Sequence, residues 1–189
     1  MEFLQNLDHS LFVFINSEAT HSWLDVFFPF ITDLHKTLIF KILFLVLGFA
    51  VYFWRYQKRG LLYFVMGLLS IGASDWSASQ FIKRTFERPR PYQTEGLPVI
   101  QRSKAHGYSF TSNHATNMFN IALYHSQFFP KARAVLFALA FLTSYSRIYN
   151  GVHFPGDVLG GAIWGLIFAF LFLRLARKLE LLIFKRGPA

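Results

Sequence analysis

The chain has 189 residues, 53% of them hydrophobic and only 15% charged, with 24 phenylalanines. That is enough for one domain, but soluble domains carry about 25% charged residues, so the composition argues against a water-soluble globule and for a bilayer. The formal net charge of +9 would suggest nucleic acid, yet many basic residues flank apolar runs and no soluble basic domain is left over; lipid phosphates or an anionic membrane surface fit better. With no cysteine, disulfides and thiolate chemistry are excluded.

Taken in chain order, Phe3, Leu4, Leu7, Leu11, Phe12, Phe14 and Ile15 show a broken helical periodicity. Residues 1–20 therefore read as an amphipathic helix lying at the membrane interface. They contain acids and lack a basic start, so no cleavable signal is expected. His21–Ile31 is apolar and aromatic but short, and reads as either a sixth, tilted span or an interfacial element. Five spans come after it, since about 20 mostly apolar residues cross a bilayer: Thr37–Trp54, Leu61–Ile82, Ala115–Phe129, Ala134–Tyr149 and Val158–Leu173. The third and fourth are short and carry polar residues, so they belong inside the bundle. The expected fold is a single all-α, polytopic membrane bundle over residues 1–189.

Charge orients it. Arg55, Lys58 and Arg59, then Lys131 and Arg133, then Arg174, Arg177, Lys178, Lys185 and Arg186 fall on one side of a five-span chain. The positive-inside rule makes that side cytoplasmic. The Lys83–Ser112 loop and the Asn150–Gly156 loop then face outward. The longer one is itself basic (Lys83, Arg84, Arg88, Arg90, Arg102 and Lys104), which runs against the rule and demands a local reason.

Three polar clusters meet at this outer face: Lys83 to Pro91, Ser109 to His114, and Ser146-Arg147 through His153 to Asp157. Lys83, Arg90 and Arg147 bring fixed positive charge, and arginine grips phosphate oxygens with a bidentate fork. Ser112 stands at an N-cap, and a helix N-terminus is an anion site. Pro155 suits a first helical turn, placing His153 beside a helix start. Asp157 lies four residues after His153, so on a helix the carboxylate can hold one ring nitrogen and present the other for attack. Phosphoryl transfer needs positioning and charge stabilisation above all. On this reading His153 attacks phosphorus, and His114 protonates the departing oxygen and then activates water. No metal or other cofactor is required. A zinc site on His114, His153 and Asp157 is the competing reading, and the three nearby cations argue against it.

These residues resemble the signatures of the type-2 phosphatidic acid phosphatase family. Lys83, six residues, then Arg90-Pro91 matches its first. Ser146-Arg147, five residues, His153, three residues, Asp157 matches its third. The second, Pro-Ser-Gly-His, appears as Thr111-Ser112-Asn113-His114, with Asn at a position where the family has the conformationally freer Gly. The resemblance covers roughly residues 60–175. It implies His153 as nucleophile, Asp157 as its partner, His114 as acid/base, and Lys83, Arg90, Ser112, Asn113 and Arg147 as phosphate ligands.

The other polar residues take plainer readings. Arg84, Arg88, Arg102 and Lys104 read as headgroup-facing charge or as attracting an anionic substrate, His106 and His125 as structural or solvent-facing, and Asp75 as paired within the bundle or capping a polar cavity. The resemblance allows several substrates: lipid A 1-phosphate, which the basic loop favours, phosphatidylglycerophosphate, undecaprenyl pyrophosphate and phosphatidic acid. A lipid-to-lipid phosphotransferase shares the same chemistry, and a lipid transporter or binding protein is the non-enzyme alternative. The short chain is similar to compact bacterial envelope enzymes, which implies the inner membrane with the site facing the periplasm.

Overall fold

The computed structural model describes residues 2–33 and 37–184; Lys185 and Arg186 of the basic tail lie outside them. Among the described residues seven principal helices form: α1 (Glu2–Val13), α2 (Ser22–Asp33), α3 (Leu38–Tyr56), α4 (Lys58–Ser77), α5 (Asn113–Phe128), α6 (Arg133–Tyr149) and α7 (Pro155–Ile183). No strand occurs among the described residues. Helix α4 runs on through a π-turn, Ala78–Ile82, and a last turn, Lys83–Phe86. A π-turn inserts one residue into the helical ladder and re-aims the side chains beyond it, here Lys83.

Helix α5 is central, packed on α4, α6 and α7. Its closeness to α7 depends on glycine. A Cβ on Gly161 would stand 2.5 Å from the Ser112 carbonyl oxygen, and one on Gly165 2.1 Å from that of Thr116. Small residues at such crossings let backbones approach and pack without a hydrophobic driving force between helices. Polar side chains in the bundle find partners across it. Asn120 on α5 donates to the Ser70 carbonyl at 3.2 Å and to the Ser74 hydroxyl at 3.2 Å.

Large apolar side chains remain exposed along α3 (Leu38, Ile39, Val46, Trp54) and along α7 (Leu159, Ile163, Phe170, Leu171). A surface of this kind belongs in lipid. By length and composition, the stretch Lys58–Gln93 and helix α7 are each able to cross a membrane. Phenylalanine is not confined to that surface: Phe12, Phe28, Phe64, Phe119 and Phe154 are buried.

Helix α7 outlasts the expected span end at Leu173, continuing to Ile183. Arg174, Arg177 and Lys178 end the apolar run but are good helix formers, and Glu180 in the extension accepts from Arg59 at 3.0 Å. The segment around His21–Ile31 is helix α2, and it lies on α6. The Phe28 ring lies tilted against that of Tyr149, 4.8 Å between centroids, and Thr32 bonds Ser146 at 2.5 Å. Helix α1 buries Phe12 against Ile148 and Phe154, while Phe3, Leu4, Leu7 and Leu11 stay exposed on its other side.

Candidate active site

The site is assembled where α4 ends and α5 and α7 begin. The Ser112 N–H donates to the Asp157 carbonyl at 3.0 Å, which ties the two helix starts together. Pro155 opens α7 and Asp157 closes its first turn, its carboxylate accepting the Phe154 N–H at 2.8 Å. That cap places Asp157 Oδ2 3.5 Å from His153 Nδ1, as the four-residue spacing implies. Oδ2 also accepts the Ser109 hydroxyl. Both residues are buried, His153 3% exposed and Asp157 fully enclosed.

The tautomer of His153 is set by its neighbours. A carboxylate only accepts and a guanidinium only donates. Arg90 Nη1 lies 3.2 Å from His153 Nε2, so Nε2 is the unprotonated nitrogen and Nδ1 carries the hydrogen, facing Asp157. Burial pushes the basicity of the ring down; the Asp157 carboxylate pulls the other way, and Arg90 and Arg147 add to the lowering. The ring is therefore neutral near pH 7, with its Nε2 lone pair directed into a cationic surrounding.

Arg90 and Lys83 also frame the loop. Arg90 donates to the carbonyls of Val152 (2.7 Å), Gly107 (2.8 Å), His106 (2.9 Å) and Tyr108 (3.2 Å). Lys83 Nζ donates to those of Thr111 (2.6 Å), Tyr108 (3.0 Å) and Ser109 (3.4 Å). Other buried groups nearby are uncommitted to the protein. The hydroxyl of Ser112, Nε and Nη1 of Arg147 and both amide atoms of Asn150 have no protein partner. Buried polar groups are rarely left so, and the uncommitted N–H and O–H groups of these three residues are all able to serve an anion.

The residues singled out in the sequence thus come to one end of the bundle: Lys83, Arg90, Arg147, His153 and Asp157 around the imidazole, with Ser112, Asn113 and His114 at the adjoining start of α5. Two details bear on the altered second signature. Ser112 occupies the N-cap position, but its side chain caps no N–H, and its hydroxyl is left without a protein partner. Asn113 does not adopt a left-handed backbone; among described non-glycine residues only Gln57 and Glu87 have positive φ. Its amide donates to Asp75 at 2.9 Å and to Ser79 at 2.7 Å, and Asn117 also donates to Asp75, at 2.8 Å. Asp75 is paired within the bundle, as expected.

Other residues at the site had not been singled out. Ser109 serves the Asp157 carboxylate, and Arg88 reaches its other oxygen at 2.9 Å and Asp8 at 2.6 Å. Arg88 is an internal ion-pair partner, in place of the headgroup-facing role read for it. The same holds for Arg102, which bonds Asp25 at 2.7 Å, the Asn16 carbonyl at 2.9 Å and the Tyr149 carbonyl at 3.0 Å. Here is the local reason for the basic loop: Lys83, Arg88, Arg90 and Arg102 are tied into the protein, while Arg84 and Lys104 are exposed. Among the described residues no group of three or more His, Asp or Glu is placed to hold a metal.

An all-helical bundle with a lipid-facing apolar surface and a buried histidine–carboxylate pair ringed by cations has the make-up of a membrane phosphatase. Comparison with known proteins agrees. The model of the PAP2 superfamily matches residues 59–180, and the chain belongs to that superfamily; it is an integral-membrane phosphoric ester hydrolase of lipid metabolism. Among curated relatives, a lipid A 4'-phosphatase of Bacteroides thetaiotaomicron is 31% identical over 188 residues, 95% of this chain and 81% of that protein. The crystal structure of Aquifex aeolicus LpxE superposes with a TM-score of 0.69 at 31% identity, covering 87% of this chain and 93% of that one. A PAP2-type phosphatidylglycerolphosphate phosphatase from Bacillus subtilis gives 0.70 at 26% identity, covering 94% and 88%.

Proposed function

We propose that the protein removes a phosphate from lipid A through a phosphohistidine on His153. The observation that carries the chemistry is the fixed tautomer of His153, with Nδ1–H held toward Asp157 and an unprotonated Nε2 beside Arg90. Nε2 attacks phosphorus; the N–P bond forms as the P–O bond to the lipid breaks. Protonated His114 gives its proton to the departing oxygen. Water then attacks phosphorus, His114 takes its proton, and the N–P bond breaks to release inorganic phosphate. Arg147, the Ser112 hydroxyl and the backbone N–H at Asn113 hold the phosphoryl oxygens, while Arg90 and Lys83, held by backbone carbonyls, add fixed positive charge beside them as charge spreads in the transition state.

The similarity over nearly the whole chain to a lipid A 4'-phosphatase favours the 4'-phosphate over the 1-phosphate that the sequence alone favours. Phosphatidylglycerophosphate is the second reading, supported by the likeness to the Bacillus subtilis enzyme. The topology proposed is five spans, α3 to α7, with α1 interfacial and α2 lying along α6. The site opens to the periplasmic face of the inner membrane. Phosphate release from lipid A carrying only the 1- or only the 4'-phosphate, and from phosphatidylglycerophosphate, tests the assignment. The 4'-form is expected to give the highest kcat/KM. A clear preference for phosphatidylglycerophosphate would replace it, and labelled phosphate passing to a second lipid would make the enzyme a transferase.

A further inference from the structure

We infer that Asp8, on helix α1, is a positioning residue for the reaction at His153, acting through Arg88 on the carboxylate of Asp157. The inference rests on the reading of His153 as nucleophile and extends it to a helix outside the 59–180 segment that defines the family match.

A continuous chain of charged contacts links the two carboxylates. Asp8 Oδ2 accepts from Arg88 Nη2 at 2.6 Å, and Arg88 Nη1 donates to Asp157 Oδ1 at 2.9 Å. Asp8 Oδ1 accepts the Gly156 N–H at 2.7 Å. The Arg88 guanidinium lies over the Phe154 ring at 4.2 Å, His9 stacks on that ring at 5.0 Å, and Phe12 meets its edge at 5.4 Å. Helix α1 thus grips Phe154 and Gly156 directly and Asp157 through Arg88, three of the four residues immediately after His153. A rigid geometry there sets the direction of the imidazole.

Charge gives Asp8 a second effect. Asp157 Oδ2 serves His153, Ser109 and the Phe154 N–H, while Oδ1 serves Arg88. An arginine devoted to Asp157 alone would draw negative charge away from the oxygen that steadies the imidazole as its N–P bond forms. Asp8 takes the other half of the Arg88 fork. The three groups together carry one net negative charge, and Asp157 keeps what His153 requires. The side chains of Arg88 and Asp8 are 25% and 14% exposed, so solvent screens this chain only in part.

The test uses the full-length enzyme in lipid micelles, with phosphate release from lipid A as readout. Asp8→Asn is expected to lower kcat on the order of tenfold, the range of lost supporting partners at other active sites, with KM nearly unchanged. Asp8→Glu is expected to recover most of the loss. In an Asp157→Asn background, Asp8→Asn is expected to change little further, because its route to His153 is already cut. A parental kcat in Asp8→Asn, or an undiminished loss in the Asp157→Asn background, overturns the inference. If Asp8→Asn yields no folded protein, Arg88→Lys, which keeps the charge but cannot fork both carboxylates, takes its place, with a lowered kcat expected and an unchanged one overturning. His153→Ala separates the two levels. Activity in that variant would remove the underlying reading, whereas an inactive His153→Ala beside an unimpaired Asp8→Asn removes only the role of Asp8.

Discussion

Helix α5 begins at the active site and ends in an aromatic cluster, and the two ends treat buried polar groups differently. At the far end Tyr52 bonds His125 at 2.7 Å, Tyr56 donates to the Phe128 carbonyl at 2.6 Å and Tyr124 to that of Tyr63 at 2.8 Å. Each of these hydroxyls has one partner, and rings pack closely around them, Tyr63 and Phe128 at 4.4 Å. At the site end Asp157 and Arg90 are bonded many times over, while Ser112, Arg147 and Asn150 keep buried polar atoms without protein partners. Among the groups of the far end, His125 Nε2 is left without a protein partner, while the hydroxyls are all matched. The site end is rigid in its frame and leaves uncommitted the groups proposed to bind an anion, which is how a preorganised site lowers a barrier.

The contrast is sharpest between two histidines of one bundle, His153 and His125. Replacing His153 with Ala is expected to abolish turnover, by roughly four orders of magnitude or more, in a protein that folds normally. Replacing His125 with Phe should leave kcat within about twofold, since its loss is of the size of one hydrogen bond and affects stability alone. Phosphate release and thermal unfolding of both variants check this, and a large activity loss at His125 would break the distinction between the ends.

Arg147 comes next. It is 3% exposed, and Nε and Nη1 make no protein hydrogen bond. Arg147→Ala should cost about 10²–10³ in kcat/KM, the range for removing one transition-state donor. Arg147→Lys should recover only part, because a point charge does not reproduce the fork. A loss confined to expression level would mean that Arg147 belongs with the structural groups of the other end.

Much of this was legible in the sequence, for reasons that differ by residue. The helices lie close to their expected positions because apolar runs and terminal polar residues are local signals. The end of α7 was missed because hydropathy reports where lipid stops, whereas Arg174, Arg177 and Lys178 keep a helix going in water. His153 and Asp157 were legible through their four-residue spacing, although His153 stands just before α7 and it is the cap at Phe154 that brings the pair together. Arg88 and Asp8 were not, since they are 80 residues apart and an ion pair of that kind exists only once α1 has docked. Ser109 sat inside a noticed cluster, but nothing local distinguishes a hydroxyl that serves Asp157 from one that faces solvent.

The pH profile offers a milder test of the site end. An ordinary histidine, with a pKa of about 6.5, would be about nine-tenths protonated at pH 5.5, costing roughly tenfold in kcat/KM if only the neutral ring attacks. Burial holds His153 well below that value. The sign is therefore fixed: protonation inactivates, and the acid limb lies on the acid side of 6.5. Between pH 7 and pH 5.5 the loss attributable to His153 should stay under about twofold. Because a phosphomonoester has its own second ionisation at about pH 6, the substrate's pKa is measured separately and divided out of the kcat/KM profile; a remaining limb at or above 6.5 would show a solvated imidazole.

The smallest effect on rate is expected at Tyr52, where the far end makes its own case. Tyr52 is 2% exposed. Its hydroxyl holds His125 Nδ1, and its ring meets Phe64, Phe128 and Phe129. Tyr52→Phe keeps the ring contacts and deletes only the hydroxyl, leaving a buried ring nitrogen without its partner, which costs on the order of 1–3 kcal/mol. Activity should not change, because α5 is fixed at its other end by the Ser112–Asp157 backbone bond and by the glycine-lined crossing with α7. A lower unfolding temperature with unaltered kcat and KM supports two independent ends. A fall in kcat with no loss of stability would instead mean that α5 transmits strain along its length, and that the aromatic cluster sets the position of His114.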